Sequence, residues 1–240
     1  MNEKVYKQIR NLAKFTAIAG LRVYGLEYVL ENPGAKIIAP NHDNWKDVIL
    51  IALALQESLN YIATDQLKGV DKCEDMILKN FKRPTSRLVK LLSHFVSKSI
   101  IVPGIKKLDN TIYVRLHDES ITGLKALIKE SIKKLQDEEP LLIFPEQEGT
   151  EITRKKEGKM IMRPGVYVLA SSYYHTTGKD IPIIPTGIIN SRKLIGNMSG
   201  YEVRFGPPLH IKTYLKDGKN KKQNKEEFLD DLKERILDLL

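Results

Sequence analysis

The chain has 240 residues, of which 42% are hydrophobic and 29% charged. That composition excludes a mainly disordered or collagenous polymer and is enough for a sizeable core. A lone cysteine, Cys73, excludes an intrachain disulfide framework and points to a reducing compartment. The formal net charge of +9 suits an anionic partner, whether nucleic acid, anionic lipid or a phosphorylated small molecule, without choosing among them.

Residues 2–19 read as a helix. Val5, Ile9, Leu12 and Phe15 recur at helical spacing with basic residues between them, as in a helix lying on an anionic membrane surface or packed on its own core. Lys4, Lys7, Arg10 and Lys14 break up any secretory signal. The longest uninterrupted apolar run, Val48–Leu55, is far short of the ~20 residues that span a membrane.

Leu21–Tyr24 alternates like a strand, and Asn32-Pro33-Gly34 marks a turn. Short apolar runs then recur at 36–39, 61–63, 111–114, 141–144, 181–185 and 201–205. Helical patterns lie at 45–58, 86–98, 120–136 and 164–173. Short runs alternating with helices predict an α/β fold with a mixed, largely parallel central sheet flanked by helices. With no linker, repeat or low-complexity tract, residues 20–240 read as a single domain behind the amphipathic helix 1–19. Between Met76 and Leu108 eight Lys/Arg residues occur with no Asp or Glu, a second candidate surface for anionic headgroups or phosphates. The last helix is expected to begin at Asn224, with Glu227 completing a capping box and Phe228, Leu229, Leu232, Ile236 and Leu240 as its apolar stripe.

Most catalytic signatures are missing. The sequence holds no G-x-G-x-x-G, no phosphate loop, no G-x-S-x-G elbow and no H-E-x-x-H. Cys73 lies among Asp71, Glu74 and Asp75, a setting that disfavours the thiolate. What remains is a histidine with a carboxylate five residues on, His42 and Asp47. In one continuous helix such residues lie ~140° apart and do not meet. They meet if His42 sits on a strand-to-helix loop and Asp47 in the helix's first turn, with Asn44 as cap. The preceding Ile37-Ile38-Ala39 and following Val48–Leu55 fit that placement. A histidine oriented by a carboxylate is a general base for a hydroxyl. His175 and Asp180 repeat the spacing, but in an expected loop ahead of a strand, so His42 is the preferred base.

Four ordered segments resemble the glycerolipid acyltransferases of the lysophosphatidic acid acyltransferase type. Asn41-His42 through Asp47 matches an N-H-x-x-x-x-D block. Tyr113-Val114-Arg115 resembles the block whose arginine meets the acceptor phosphate. Phe144-Pro145-Glu146, with Gly149-Thr150 behind, resembles F-P-E-G-T-R, and Ile181-Pro182-Ile183-Ile184-Pro185 resembles the late proline block. The third block departs from the pattern. Gln147-Glu148 is inserted, so Glu146 and Glu148 compete for the glutamate, and Glu151 stands where the family has arginine.

The resemblance implies that His42, oriented by Asp47, deprotonates a glycerol hydroxyl that attacks an acyl thioester directly. It implies substrate-binding places for Asn41, Arg115, Glu146, Gly149, Thr150 and Pro185, with Arg115 on the acceptor phosphate. The donor would be acyl-CoA or acyl carrier protein, with no other cofactor and no metal, and the product phosphatidic acid. Glycerol 3-phosphate or another lysolipid is the alternative acceptor. The expected location is cytoplasmic, peripheral on the cytoplasmic face of an anionic membrane, without nucleic acid as partner. A basic nucleic-acid-binding protein and a catalytically inactive lipid-binding protein are the alternatives of other classes.

Overall fold

A computed structural model describes residues 21–43, 46–55, 59–64, 111–114, 121–146, 160–191, 200–215 and 220–240. The expected helices at 2–19 and 86–98 and the basic stretch 76–108 lie outside the described residues, as do Asn44, Arg115, Gly149 and Thr150.

Eight strands form one sheet: β1 (Arg22–Tyr24), β2 (Ile37–Pro40), β3 (Asn60–Thr64), β4 (Thr111–Val114), β5 (Leu141–Leu142), β6 (Pro182–Ile189), β7 (Glu202–Phe205) and β8 (Leu209–His210). Their order is β1-β7-β6-β2-β5-β3-β4, with β8 beside the start of β6. Strands β2 to β6 run parallel to one another. β7 and β8 are antiparallel to β6, and β1 follows β7. The sheet is thus mixed and largely parallel, as the alternation of runs and helices predicts.

Register explains why the central runs are apolar throughout. Ile37 lies opposite Leu141 and Ile183, and Ile38 opposite Leu142 and Ile184. Successive side chains leave opposite faces of a strand, so the first row enters one core and the second row another. The first core is closed by α3 (Ile121–Gln136), α4 (Gly165–Thr177) and α5 (Lys221–Asp238), through Leu135, Val166, Phe228, Leu232 and Ile236. The second is closed by α1 (Glu27–Leu30) and α2 (Lys46–Leu55), through Val29, Leu50, Ile51 and Ala54. Strands buried on both faces read as continuous apolar runs, and each fully buried Ile or Leu contributes about 1.5–3 kcal/mol.

Two expected boundaries move. α5 begins one turn earlier than expected. Asn220, not Asn224, is the cap, and its side chain accepts the Gln223 N–H at 2.9 Å while Gln223 returns a bond to the Asn220 N–H at 3.2 Å. The sequence carries two overlapping boxes four residues apart, and the earlier turn holds no apolar residue to reveal it. Asn224 is instead buried on the helix's inner face. α4 also continues to Thr177, where Gly178 at φ +70° ends it, so His175 is helical rather than in a loop. Nothing between Tyr173 and Thr177 breaks a helix, and the Thr177 hydroxyl donates to the Tyr173 carbonyl at 2.8 Å.

Beside α5, Tyr214 packs edge-on against Phe228 and donates its hydroxyl to Asp231. Burial, then that bond, push its phenol upward.

Candidate active site

Parallel strands place the loops that follow them along one edge of the sheet, the usual position for binding and chemistry in such folds. β2 ends at Pro40, and Asn41, His42 and Asp43 carry the chain toward α2, whose first turn holds Asp47. The reversal between strand and helix closes the five-residue spacing. His42 Nδ1 lies 3.0 Å from Asp47 Oδ2. The same oxygen accepts the Asp43 backbone N–H at 2.6 Å. Asp47 is 0% exposed, whereas the His42 side chain is 25% exposed.

Against an ionised carboxylate, which can only accept, a neutral imidazole puts its proton on Nδ1 and its lone pair on Nε2. The start of α2 favours the negative charge. The Phe144 ring lies 4.2 Å from the imidazole, centroid to centroid, tilted 33°.

Glu146 joins this arrangement through the main chain. Its Oε2 accepts the His42 backbone N–H at 3.2 Å, and the residue is 5% exposed. Its own segment is held from the other side, by a bridge from Glu146 to Met162 and by the Arg163 N–H on the Pro145 carbonyl at 2.7 Å. Of the two glutamates that compete in the third block, Glu146 reaches His42, while Glu148 lies outside the described residues.

Asn41 is placed differently from a surface ligand. Its Nδ2 donates to the Ile188 carbonyl at 3.0 Å, its Oδ1 accepts the Ile188 N–H at 2.6 Å, and it is 0% exposed. Pro185 is buried within β6, opposite Ala39, and its carbonyl accepts the Gly206 N–H at 2.9 Å. A strand residue turns its N–H and C=O to the same side. The N–H that proline lacks would have returned this bond to Gly206, so the paired register of β6 with β7 starts one residue on, at Thr186. Arg115, Gly149 and Thr150 were expected near the acceptor, and the described residues do not include them.

The repeated spacing at His175 and Asp180 does not make a second pair. Asp180 accepts from the Ile181 N–H at 3.0 Å and lies 3.2 Å from His210 Nδ1. His175 meets the ring of Tyr174 edge-on instead. Sequence reasoning missed Phe144 and Ile188 as neighbours of the His42 loop. The only signal for Phe144 was its place beside Glu146, and none marked Ile188.

Among the described residues no helix is long and apolar enough to cross a membrane. Comparison with solved structures finds a likeness to the 1-acyl-sn-glycerophosphate (LPA) acyltransferase PlsC from Thermotoga maritima. The TM-score is 0.53 at 18% identity, covering 95% of this chain and 78% of that one. No curated protein matches the sequence significantly. The acyltransferase family profile matches residues 20–189, a span that takes in His42, Asp47 and Glu146. The chain belongs to the acyltransferase family and is an acyltransferase.

Proposed function

We propose that this acyltransferase moves an acyl chain from a thioester donor, acyl-CoA or acyl carrier protein, to the free hydroxyl of lysophosphatidic acid, giving phosphatidic acid. The carrying observation is the imidazole held at 3.0 Å by a buried carboxylate on the strand-to-helix loop. The activity named for the structural neighbour from Thermotoga maritima favours the same acceptor.

In this reading His42 Nε2 takes the proton of the acceptor hydroxyl as its oxygen attacks the thioester carbonyl. The tetrahedral intermediate then collapses, the C–S bond breaks, and the leaving thiolate takes the proton from the imidazolium. Asp47 holds the tautomer and balances the transient positive charge. General-base catalysis of this kind contributes about 10²–10⁴ in rate. No step requires a metal or a covalent enzyme intermediate. In the same reading Arg115 takes the acceptor phosphate, for which a guanidinium fork is suited, and Glu146, Gly149 and Thr150 are assigned to acceptor binding from the sequence resemblance. The basic chain works from the anionic cytoplasmic face of a membrane, at about 1 kcal/mol per basic residue near the surface.

The test is acyl transfer by the purified chain with labelled acyl-CoA against lysophosphatidate, glycerol 3-phosphate and other lysolipids. Phosphatidate is expected as the main product. His42→Ala should abolish its formation, and His175→Ala should leave it nearly intact. Equal loss in both variants refutes the choice of base, and a stronger signal from another acceptor refutes the choice of substrate.

A further inference from the structure

The side chain of Asn41 behaves as an additional peptide group in the sheet. β2 and β6 pair in parallel through Pro40 opposite Thr186, and the Asn41 N–H continues that ladder to the Thr186 carbonyl at 3.3 Å. One step further the backbone of β2 has turned away, and the carboxamide takes its place. It donates to the Ile188 carbonyl and accepts the Ile188 N–H, at 3.0 and 2.6 Å. Both sides of the amide are engaged by one residue 147 positions away in sequence. With no exposure, the group is closed to a ligand.

The wall it ties to is itself fixed. Thr186 and Ile188 pair with Phe205 and Val203 of β7. Gly187 between them lies directly under Leu239, so close that a Cβ there would meet the Leu239 Cβ and carbonyl oxygen at 2.7 Å. Arg204, opposite Gly187, donates to that same Leu239 carbonyl at 3.3 Å. The segment that receives Asn41 is therefore held by β7 at its edge and by the end of α5 on one face.

Asn41 immediately precedes His42, whose own N–H is tied in the other direction, to Glu146 beyond β5. We infer that Asn41 is a positioning residue that fixes the backbone entry of the His42 loop against β6, and that it does not contact the acyl acceptor. This inference rests on His42 being the base. It replaces the substrate contact that the sequence resemblance implies for Asn41. Because a small displacement of a reacting group costs as much as ~10²-fold in rate, the tie acts on turnover rather than on binding.

Asn41→Asp and Asn41→Ala separate the two roles. The aspartate keeps the shape and the acceptor for the Ile188 N–H, but it sets an anion against the Ile188 carbonyl. The alanine removes both bonds. With lysophosphatidate and acyl-CoA, both variants should lose about 10- to 100-fold in kcat while the acceptor KM stays within about twofold. In Asn41→Ala, hydrogen exchange of the Ile188 amide should accelerate at least about tenfold, with the Ile183 amide unchanged. A raised acceptor KM with kcat retained overturns the inference, as does an Ile188 amide equally protected in Asn41→Ala. If the variants do not fold, the wild-type protein decides: a freely exchanging Ile188 amide overturns the tie, and a protected one upholds it. A wild-type chain that transfers no acyl group refutes the proposed function but leaves the exchange measurement of the tie standing.

Discussion

Replacing Asp47 by asparagine removes one charge and preserves shape, which isolates what the carboxylate does for His42. Asp47 Oδ2 faces two donors, His42 Nδ1 at 3.0 Å and the Asp43 N–H at 2.6 Å. The Asp43 N–H can only donate, so the asparagine turns its oxygen toward it and presents the same oxygen to Nδ1, and the imidazole keeps its tautomer. The attraction between the carboxylate and the imidazolium that forms as the acceptor loses its proton is lost. At ~3–4 Å and an effective dielectric constant of ~20 it amounts to about 4–5.5 kcal/mol, roughly three to four powers of ten in rate. Solvent reaches a quarter of the His42 side chain and screens part of this. The expected loss in kcat is therefore about 10²–10³-fold.

The charge acts on the imidazolium formed during the reaction, so KM for both substrates should stay within about twofold. The assay follows release of the free thiol from acyl-CoA at saturating lysophosphatidate, with circular dichroism to confirm that the variant is folded. A kcat within about threefold of wild type refutes the role of Asp47 as the partner of a transient cation. So does a loss carried entirely by KM.

Two further predictions bear on the frame and the acceptor. Gly187→Ala places a Cβ 2.7 Å from the Leu239 carbonyl oxygen and 3.0 Å from its carbonyl carbon, backbone atoms that yield only if the end of α5 moves. It should destabilise the chain by about 1–3 kcal/mol, read as a lowered urea midpoint at unchanged slope; an unchanged midpoint refutes the close packing. Arg115→Ala should raise the acceptor KM at least about tenfold with little change in kcat, since a charge-assisted phosphate contact contributes about 1.5–3 kcal/mol. An unchanged KM removes Arg115 from the phosphate site.

Much of this architecture was readable because local chemistry dictates it. Ile37-Ile38-Ala39, Leu141-Leu142 and Ile183-Ile184 are apolar on both faces since helices cover both sides of the sheet, and such runs announce themselves. The His42–Asp47 contact was also legible, because one apolar strand and one apolar helix bracket it. What could not be read depends on which strands become neighbours. Asn41 meets Ile188 only because β6 lies beside β2, and Phe144 and Glu146 meet His42 only because β5 lies on β2's other side. No spacing rule connects those positions. The start of α5 was misplaced for a different reason, since Asn220–Gln223 and Asn224–Glu227 offer the same capping chemistry and only burial of Asn224 separates them.

The chain also supplies its own comparison for the proposed base. His210 Nδ1 and Asp180 Oδ2 lie 3.2 Å apart, nearly the separation of His42 and Asp47. A histidine–carboxylate contact is therefore not enough to mark a catalytic pair; position in the sheet is what differs. Asp180 precedes the start of β6 and His210 ends the antiparallel β8 beside that start, so their pair sits at the edge where parallel strands begin. His42 follows the end of β2, Phe144 and Glu146 follow the end of β5, and Ile188 lies near the end of β6. Three adjacent parallel strands thus deliver their carboxyl ends to one imidazole, β6 through Asn41, β5 through Glu146 and Phe144, and β2 by carrying it. At the His210 end the aspartate is held by backbone N–H groups of Ile181 and Lys212. The histidine itself is 47% exposed. So solvated a contact is worth little, whereas His42 is aimed from three directions with its carboxylate partner wholly buried.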